Sequence, residues 1–323
     1  MYVQLFRRFA VMPAMIGLSG RKAQELLAFL LLWPDRPHAR EQLAHVLWES
    51  EDATQPRTYL RKALWHLQRA LVTASANGEP PVLHTDAECI ELRRVQWLRV
   101  DVHEFDAAFD EALRDGTSRL STDRLDRALA LYRGDLLEGW YVSWCDAERV
   151  RLQHRFVAMA GWMLDACAEH GEIERGLSVA ARVLAKERAH ERTHRHVMQL
   201  LAQGGDRTAA IRQFERCREI LHAELGVDPS RTTVQVLHAV RSGVRRPIPT
   251  PVTNDSPANE ANTLPLLRER LERLIADIDT VVRGRRERPG VIGGPQRSET
   301  ARTQPRRRER PVRRARTTRR GGT

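Results

Sequence analysis

The sequence predicts a mainly α protein. An N-terminal winged helix-turn-helix, three helices with short β-strands and a wing, is followed by an α-helical domain of tetratricopeptide (TPR)-like repeats. Three observations carry this. A β-rich stretch, three amphipathic helical patterns and a pair of short strands follow one another within about ninety residues. The third helical pattern bears positive charge only. Residues 168–187 and 202–221 then repeat one pattern at an offset of 34, the tetratricopeptide period.

Taken in order, Tyr2–Met12 is rich in β-formers, and Pro13 and Gly17 limit it to about one short strand and a turn. Arg7-Arg8 followed by Phe9–Leu18 has the basic and apolar parts of a signal peptide. No small-x-small cleavage site follows, however, and Arg21 and Lys22 open an amphipathic helix instead. Ser19 is its expected N-cap, and Ala23, Leu26, Leu27, Leu30 and Leu31 its buried side up to Trp33. Pro34 and Pro37 end it. A second helix spans Arg40 to Trp48 with Leu43, Val46 and Leu47 inward, and a linker containing Asp52 leads to the third.

The third pattern, Thr54 to Leu71, has Pro56 in its first turn, where proline is tolerated. Leu60, Leu64, Leu67 and Leu71 recur at helical spacing, within roughly 60° of one another at about 100° per residue. The other side carries Thr58, Arg61, Lys62, Trp65, His66 and Arg69, with no Asp or Glu between Asp52 and Glu79. A helix needs such a surface to enter a major groove between two rows of phosphates. After a polar loop from Thr73 to Pro81, Val82–His84 and Cys89–Leu92 read as strands around a turn at Thr85–Glu88, the position of a wing.

The segments GRKAQELLAFLLLWPDRPHAREQLAHVLW (20–48) and RTYLRKALWHLQRAL (57–71) resemble the DNA-binding domain of the SARP-type antibiotic regulatory proteins. VDVHEFDAAF (from Val100), ALALYRGDLLEGW (from Ala128), WCDAERVRL (from Trp144) and RCREILHAELGVDPS (216–230) are similar to the bacterial transcriptional activator domain (BTAD) that follows in that family. The resemblance covers roughly residues 2–243. It implies a cytoplasmic transcription activator that binds double-stranded DNA, with protomers side by side on tandem sites, and recruits RNA polymerase. Two departures stand out. The N-terminal sheet is cut to about one strand, and Trp65 and His66 replace small, polar or basic residues. A reading from another class is a TPR-like helical adaptor whose winged helix makes protein contacts.

In the repeats Gly171 corresponds to Gly205, Gly176 to Ala210 and Leu177 to Ile211: helix, Gly-containing turn, helix, with small residues where helices approach. Helices are expected at Arg124–Leu131 and from about Ala147 to Glu169, and Asp228-Pro229-Ser230 should cap a last one to about Val240. From Pro247 the composition is that of a linker. Leu264–Val282 is an isolated amphipathic segment, and the Arg/Gly/Pro/Thr mixture beyond Arg283 cannot form a core. The expected division is 1–98 winged helix, 99–243 helical activator domain, and 244–323 linker, short helix and disordered Arg-rich tail.

The formal net charge of +11 belongs to that tail: residues 283–323 hold fifteen Arg against three Glu, so the rest of the chain is nearly neutral. Cys89, Cys145, Cys167 and Cys217 form no CxxC pair, which suits a reducing cytoplasm. No apolar run reaches the roughly 18 residues that span a bilayer. Neither a GxxxxGK[ST] loop nor a GxSxG elbow occurs, and no cofactor is expected. His190-Glu191-Arg192-Thr193-His194 does spell HExxH, the zinc-protease pattern, with Glu215 near where a third ligand would stand. Its place inside the second repeat argues for a structural role.

For DNA the roles divide by position. Thr58, Arg61, Lys62 and Trp65 lie nearest the bases: Arg61 suits guanine O6 and N7, and Trp65 either packs on thymine methyls or is partly buried against the wing. His66 completes the face, and Arg57 and Arg69 flank it as phosphate ligands. Arg21 and Arg40 start the first two helices, where backbone N–H groups also favour phosphate. Arg93 and Arg94 are the wing's cations.

Overall fold

In the computed structural model, residues 1–13, 18, 20–48, 55–74, 81–115 and 122–243 are described, and all belong to one compact unit. Ser19, Asp52, the linker around it, most of the Thr73–Pro81 loop, the 264–282 segment and the Arg-rich tail lie outside the described residues.

The N-terminal stretch forms two strands rather than about one. β1 (Tyr2–Gln4) pairs antiparallel with β2 (Ala10–Met12), Val3 facing Val11. On its other edge β1 pairs in parallel with β6 (Arg99–Val100), Val3 opposite Val100. The sheet is therefore completed by residues almost a hundred positions downstream, a partner that strand propensity in Tyr2–Met12 does not announce.

α1 (Arg21–Leu32) buries Ala23, Leu26, Leu27, Leu30 and Leu31 as the periodicity requires. Its N-cap is Gly20, one residue beyond the expected Ser19, and no side chain caps it. Glu25, on the polar side by pattern, is also buried, between Arg21 (2.9 Å) and Lys22 (3.1 Å). After α1, Asp35 turns the chain at positive φ and accepts the Arg94 N–H at 2.9 Å. β3 (His38–Ala39) then pairs with β5 (Cys89–Leu92), and β5 with β4 (Leu83–Thr85), all antiparallel. The wing is thus the outer part of a three-stranded sheet that starts between the first two helices. α2 (Arg40–Trp48) buries Leu43, Ala44, Leu47 and Trp48, while Val46, expected inward, is only half-buried. α3 (Pro56–Ala74) buries its leucine stripe together with Ala63 and Ala70.

The helical part follows as α4 (Asp101–Asp115), α5 (Thr122–Leu131), α6 (Asp146–His170), α7 (Ile173–Lys186), α8 (Glu191–Gln203), α9 (Arg207–Leu225) and α10 (Arg231–Ser242). The repeat is two helical hairpins, α6–α7 and α8–α9. Gly171 ends α6 at φ +72° and Gly205 turns the second hairpin at φ +87°, the left-handed backbone their repeat position demands. Gly176 and Ala210 are both buried. Arginines tie down the loop ends: Arg182 donates to the carbonyls of Leu129 (2.8 Å) and Tyr132 (2.7 Å), and Arg149 to those of Leu136, Leu137 and Trp140. Among the described residues no helix is long and apolar enough to cross a membrane.

The two parts share one core, which runs from Val3 to Leu200. Leaving β1, the chain pairs Phe6 with Leu136, and Arg7 N–H donates to Asp135 at 2.7 Å. Phe6 is fully buried, edge-on to Phe105 (5.4 Å between ring centroids) and tilted against Tyr132 (4.9 Å), which stacks on Phe156 (4.4 Å). Beside it Asp101, the first residue of α4 and 1% exposed, accepts the backbone N–H groups of Leu5 (2.9 Å), Phe6 (2.9 Å) and Val102 (2.8 Å). Burial lifts its carboxyl to about 6 against the pull of those bonds, so near neutral pH it is still an ionised acceptor. α1 adds Phe29 and Trp33 against Trp144, and the Leu31 carbonyl meets His103 Nε2 at 2.6 Å.

Asp101→Asn turns one acceptor into a donor facing buried N–H groups. It is expected to cost about 1–3 kcal/mol, read as a lower urea midpoint with the slope unchanged. In the repeats, a Cβ on Gly176 would stand 2.6 Å from Leu200 Cδ1 and 3.2 Å from Cys167 Cβ. Gly176→Val is therefore expected to overpack the α6–α8 junction by about 1–3 kcal/mol, while Ala at the exposed position Ser178 changes the midpoint little.

Candidate nucleic-acid interface

α3 packs on α1 and α2 through its leucines, and this fixes which side faces out. Counting about 100° per residue from that stripe, Thr58, Lys62, Trp65 and Arg69 fall opposite it. All four are exposed, as are Arg57 and Arg61, and His66 is half-buried. Trp65 is 53% exposed. It stands edge-on to His66 with centroids 4.9 Å apart, and the Arg69 guanidinium lies 5.5 Å above its ring. Its ring partners are thus residues of α3 itself; α3 also meets the wing through Gln68, whose amide donates to Thr85 Oγ1 at 3.2 Å.

The side chains of Arg61 and Lys62 make no hydrogen bond or ion pair among the described residues, and that of Thr58 only a long bond to Gln55 (3.4 Å). Arg57 is ion-paired with Glu41 of α2. Arg40 stands at the start of α2, and its N–H donates to the Glu88 carbonyl in the wing turn at 2.8 Å. Arg40, Arg57 and Arg61 line one hollow of about 530 Å³.

The other arginines are not gathered there. The Arg21 guanidinium is held by Glu25 and lies 4.0 Å over the Trp140 ring, so it serves the joint with the helical part. Arg93 pairs with Glu91 (3.3 Å) and Arg94 with Asp35 (3.3 Å), both past the end of β5 rather than at the turn of the hairpin. That turn carries Asp86 and Glu88. Asp86 accepts the N–H groups of Glu88 (2.7 Å) and Cys89 (2.6 Å), which hold its carboxyl below the usual carboxylate range.

Sequence reasoning missed two residues bordering the face. Tyr59 is 44% exposed and stacks loosely on Trp48 at 6.4 Å. Its only signal was an aromatic in the basic half of the helix. Glu41 precedes the acid-free stretch between Asp52 and Glu79, so its pairing with Arg57 does not show in the pattern of α3.

The HExxH residues are spent on the fold. His190 precedes α8 as its N-cap residue, with Nδ1 2.8 Å from Thr193 Oγ1. His194 is buried, with Nε2 2.8 Å from the Arg188 carbonyl and Nδ1 2.6 Å from the Gln213 amide. Glu191 accepts the N–H (2.8 Å) and hydroxyl (2.6 Å) of Ser230 and the hydroxyl of Thr233, securing the start of α10. Ser230 is the N-cap by position, yet its hydroxyl serves Glu191 and caps no backbone N–H. Glu215 pairs with Arg218 at 2.7 Å. Among the described residues no group of three His, Cys, Asp or Glu is placed to hold a metal ion.

A sequence profile of the bacterial transcriptional activator domain matches residues 100–241. The chain is 28% identical over 217 residues to the regulatory protein AfsR of Streptomyces coelicolor, covering 66% of this chain but only 21% of that protein. It is 24% identical over 228 residues to the regulatory protein DnrI of Streptomyces peucetius, covering 68% of this chain and 84% of DnrI. Mycobacterium tuberculosis EmbR, solved in complex with a low affinity phosphopeptide, superposes with a TM-score of 0.65 at 17% identity, over 83% of this chain and 70% of EmbR. At that identity the likeness speaks to fold alone. Residues 100–241 thus match the bacterial transcriptional activator domain, and with a winged helix before them the chain is similar to the SARP-type transcription regulators.

Proposed function

We propose that this regulator binds double-stranded DNA sequence-specifically through the outer face of α3 and activates transcription by recruiting RNA polymerase. One observation carries the reading: Arg61, Lys62, Trp65 and Arg69 stand exposed along one side of a helix that has no acidic residue of its own. An all-positive outer face has a use only where negative charge meets it, and an exposed indole among cations suits the edge of a base stack. Arg61 reads guanine, Trp65 meets thymine methyls, and Arg57, Arg69 and Arg40 seat phosphates. Residues 1–98 form the DNA-binding part and 99–243 the part offered to polymerase, with protomers side by side on tandem sites in the cytoplasm. The acidic wing turn favours a second reading, a helical adaptor whose winged helix contacts protein.

A competition shift assay on promoter fragments from the gene's own locus, at about 150 mM salt, separates the two. The DNA reading expects 10³-fold or more preference over random duplex, roughly the lower bound for specific binders, and the adaptor expects none. Arg61→Ala should cost about 1–3 kcal/mol on the preferred site and relax specificity at one base pair. Lys62→Ala should weaken all sites more evenly. If specific binding survives both changes, α3 is not the reader. Deleting residues 283–323 should lower affinity for every duplex alike and flatten the salt slope; loss of specific binding alone would refute a sequence-independent tail.

A further inference from the structure

The hollow between the start of α2, the first half of α3 and the wing turn is not simply basic. Arg40, Arg57 and Arg61 line it, but so do the carboxylate-bearing Glu41 and Glu88. Glu41 reaches Arg57 across the gap between helices, and both side chains are about three-quarters exposed, at 73% and 75%. They meet by charge rather than by packing. Arg40 Nε is buried without a hydrogen-bond partner among the described residues, so its guanidinium lacks an acceptor on the inner side. Its charge reaches the wing-turn acid Asp86. Three guanidinium groups round a hollow, one with an unmet donor, are a seat for an oxyanion. The neighbouring carboxylates supply the negative charge in the absence of one.

We propose that Glu41 is an intramolecular stand-in for a DNA phosphate at Arg57, a gate that lowers affinity for all duplexes and so leaves discrimination to the base-reading residues. The proposal rests on the DNA reading of α3. When a phosphate enters the hollow, Arg57 must leave Glu41. The freed carboxylate then sits beside the phosphate and retains a salt cation that full neutralisation would release. Two consequences follow. Each gate carboxylate weakens binding by the worth of an exposed ion pair, a few-fold. It also makes the salt dependence shallower by about one contact, a slope change of roughly 0.9. Glu88 and Asp86 extend the same field to the wing turn, which therefore stands off the phosphates.

The test compares wild type, Glu41→Gln, Arg57→Ala and the double variant in the full chain, by fluorescence anisotropy on a locus fragment and on random duplex of equal length, across a salt series. Gln keeps the size and removes the charge at an exposed position, so folding is not at stake. The proposal expects Glu41→Gln to tighten both duplexes about 2- to 5-fold, to steepen the salt slope by about 0.9, and to lose most of that effect when Arg57 is Ala. Unchanged affinity and slope, on DNA that wild type binds, would overturn the gate and leave the DNA reading standing. Weaker binding of the locus fragment alone would also overturn it, because Glu41 would then be reading a base. Failure of all four proteins to bind either duplex would overturn both.

Discussion

The seating of Phe6 and its neighbours in the helical part is the constraint on which the rest of the structure depends. Three residues after β1 begins its sheet, the same strand segment is already paired with the Asp135–Leu137 loop and capped by Asp101. The two halves therefore have no flexible joint at their first contact. A buried carboxylate that accepts three backbone N–H groups is directional, and a fully buried phenyl ring packed against two aromatic rings is not easily re-seated. α1 continues the contact through Phe29, Trp33 and Arg21. Because α1 also forms the floor on which α3 rests, the outer face of α3 is held at a fixed orientation to the helical repeats.

This rigidity gives meaning to the distribution of charge. On a flexibly tethered winged helix, any surface arginine could find a phosphate. Here Arg21 is committed to Glu25 and Trp140, and Arg93 and Arg94, past the end of β5, to Glu91 and Asp35. Of the cations assigned to DNA, Arg61, Lys62 and Arg69 of α3 and Arg40 beside it have no such acidic partner among the described residues, while Arg57 is paired with Glu41. On the proposed DNA reading, the acidic wing turn beside them confines attraction further, to one side of one helix. In the proposed DNA reading, the nearly neutral body and strongly basic tail divide the work: general attraction to polyanions comes from the tail, and register from α3.

Much of this was legible in the sequence because it is local. The inward residues of α1 and α3 follow from helical period alone, and the 34-residue offset placed both helical hairpins and their glycine turns. What was missed depends on partners far along the chain. β6 completes a sheet begun at residue 2, and β3 is two residues long, too short to show any alternation. Glu25 belongs to the polar face by spacing, yet Arg21 and Lys22 close over it. Val46, expected inward, is half-buried, and the helix's last residue, Trp48, is buried, its ring 6.4 Å from that of Tyr59 on α3. HExxH was legible as letters and misleading as chemistry: its groups hold α8, α9 and α10 together.

The central claim is that the outer face of α3 meets DNA bases. Replacing Trp65 with p-benzoylphenylalanine puts a photoreactive aromatic at the centre of that face, and Leu225, an exposed apolar residue at the end of α9, supplies the matching control. On irradiation with a labelled locus fragment, the account predicts a crosslink from position 65 mapping to bases within the protected site, and none from position 225. No crosslink from position 65 under conditions where the fragment is bound, or equal yields from both positions, would contradict it.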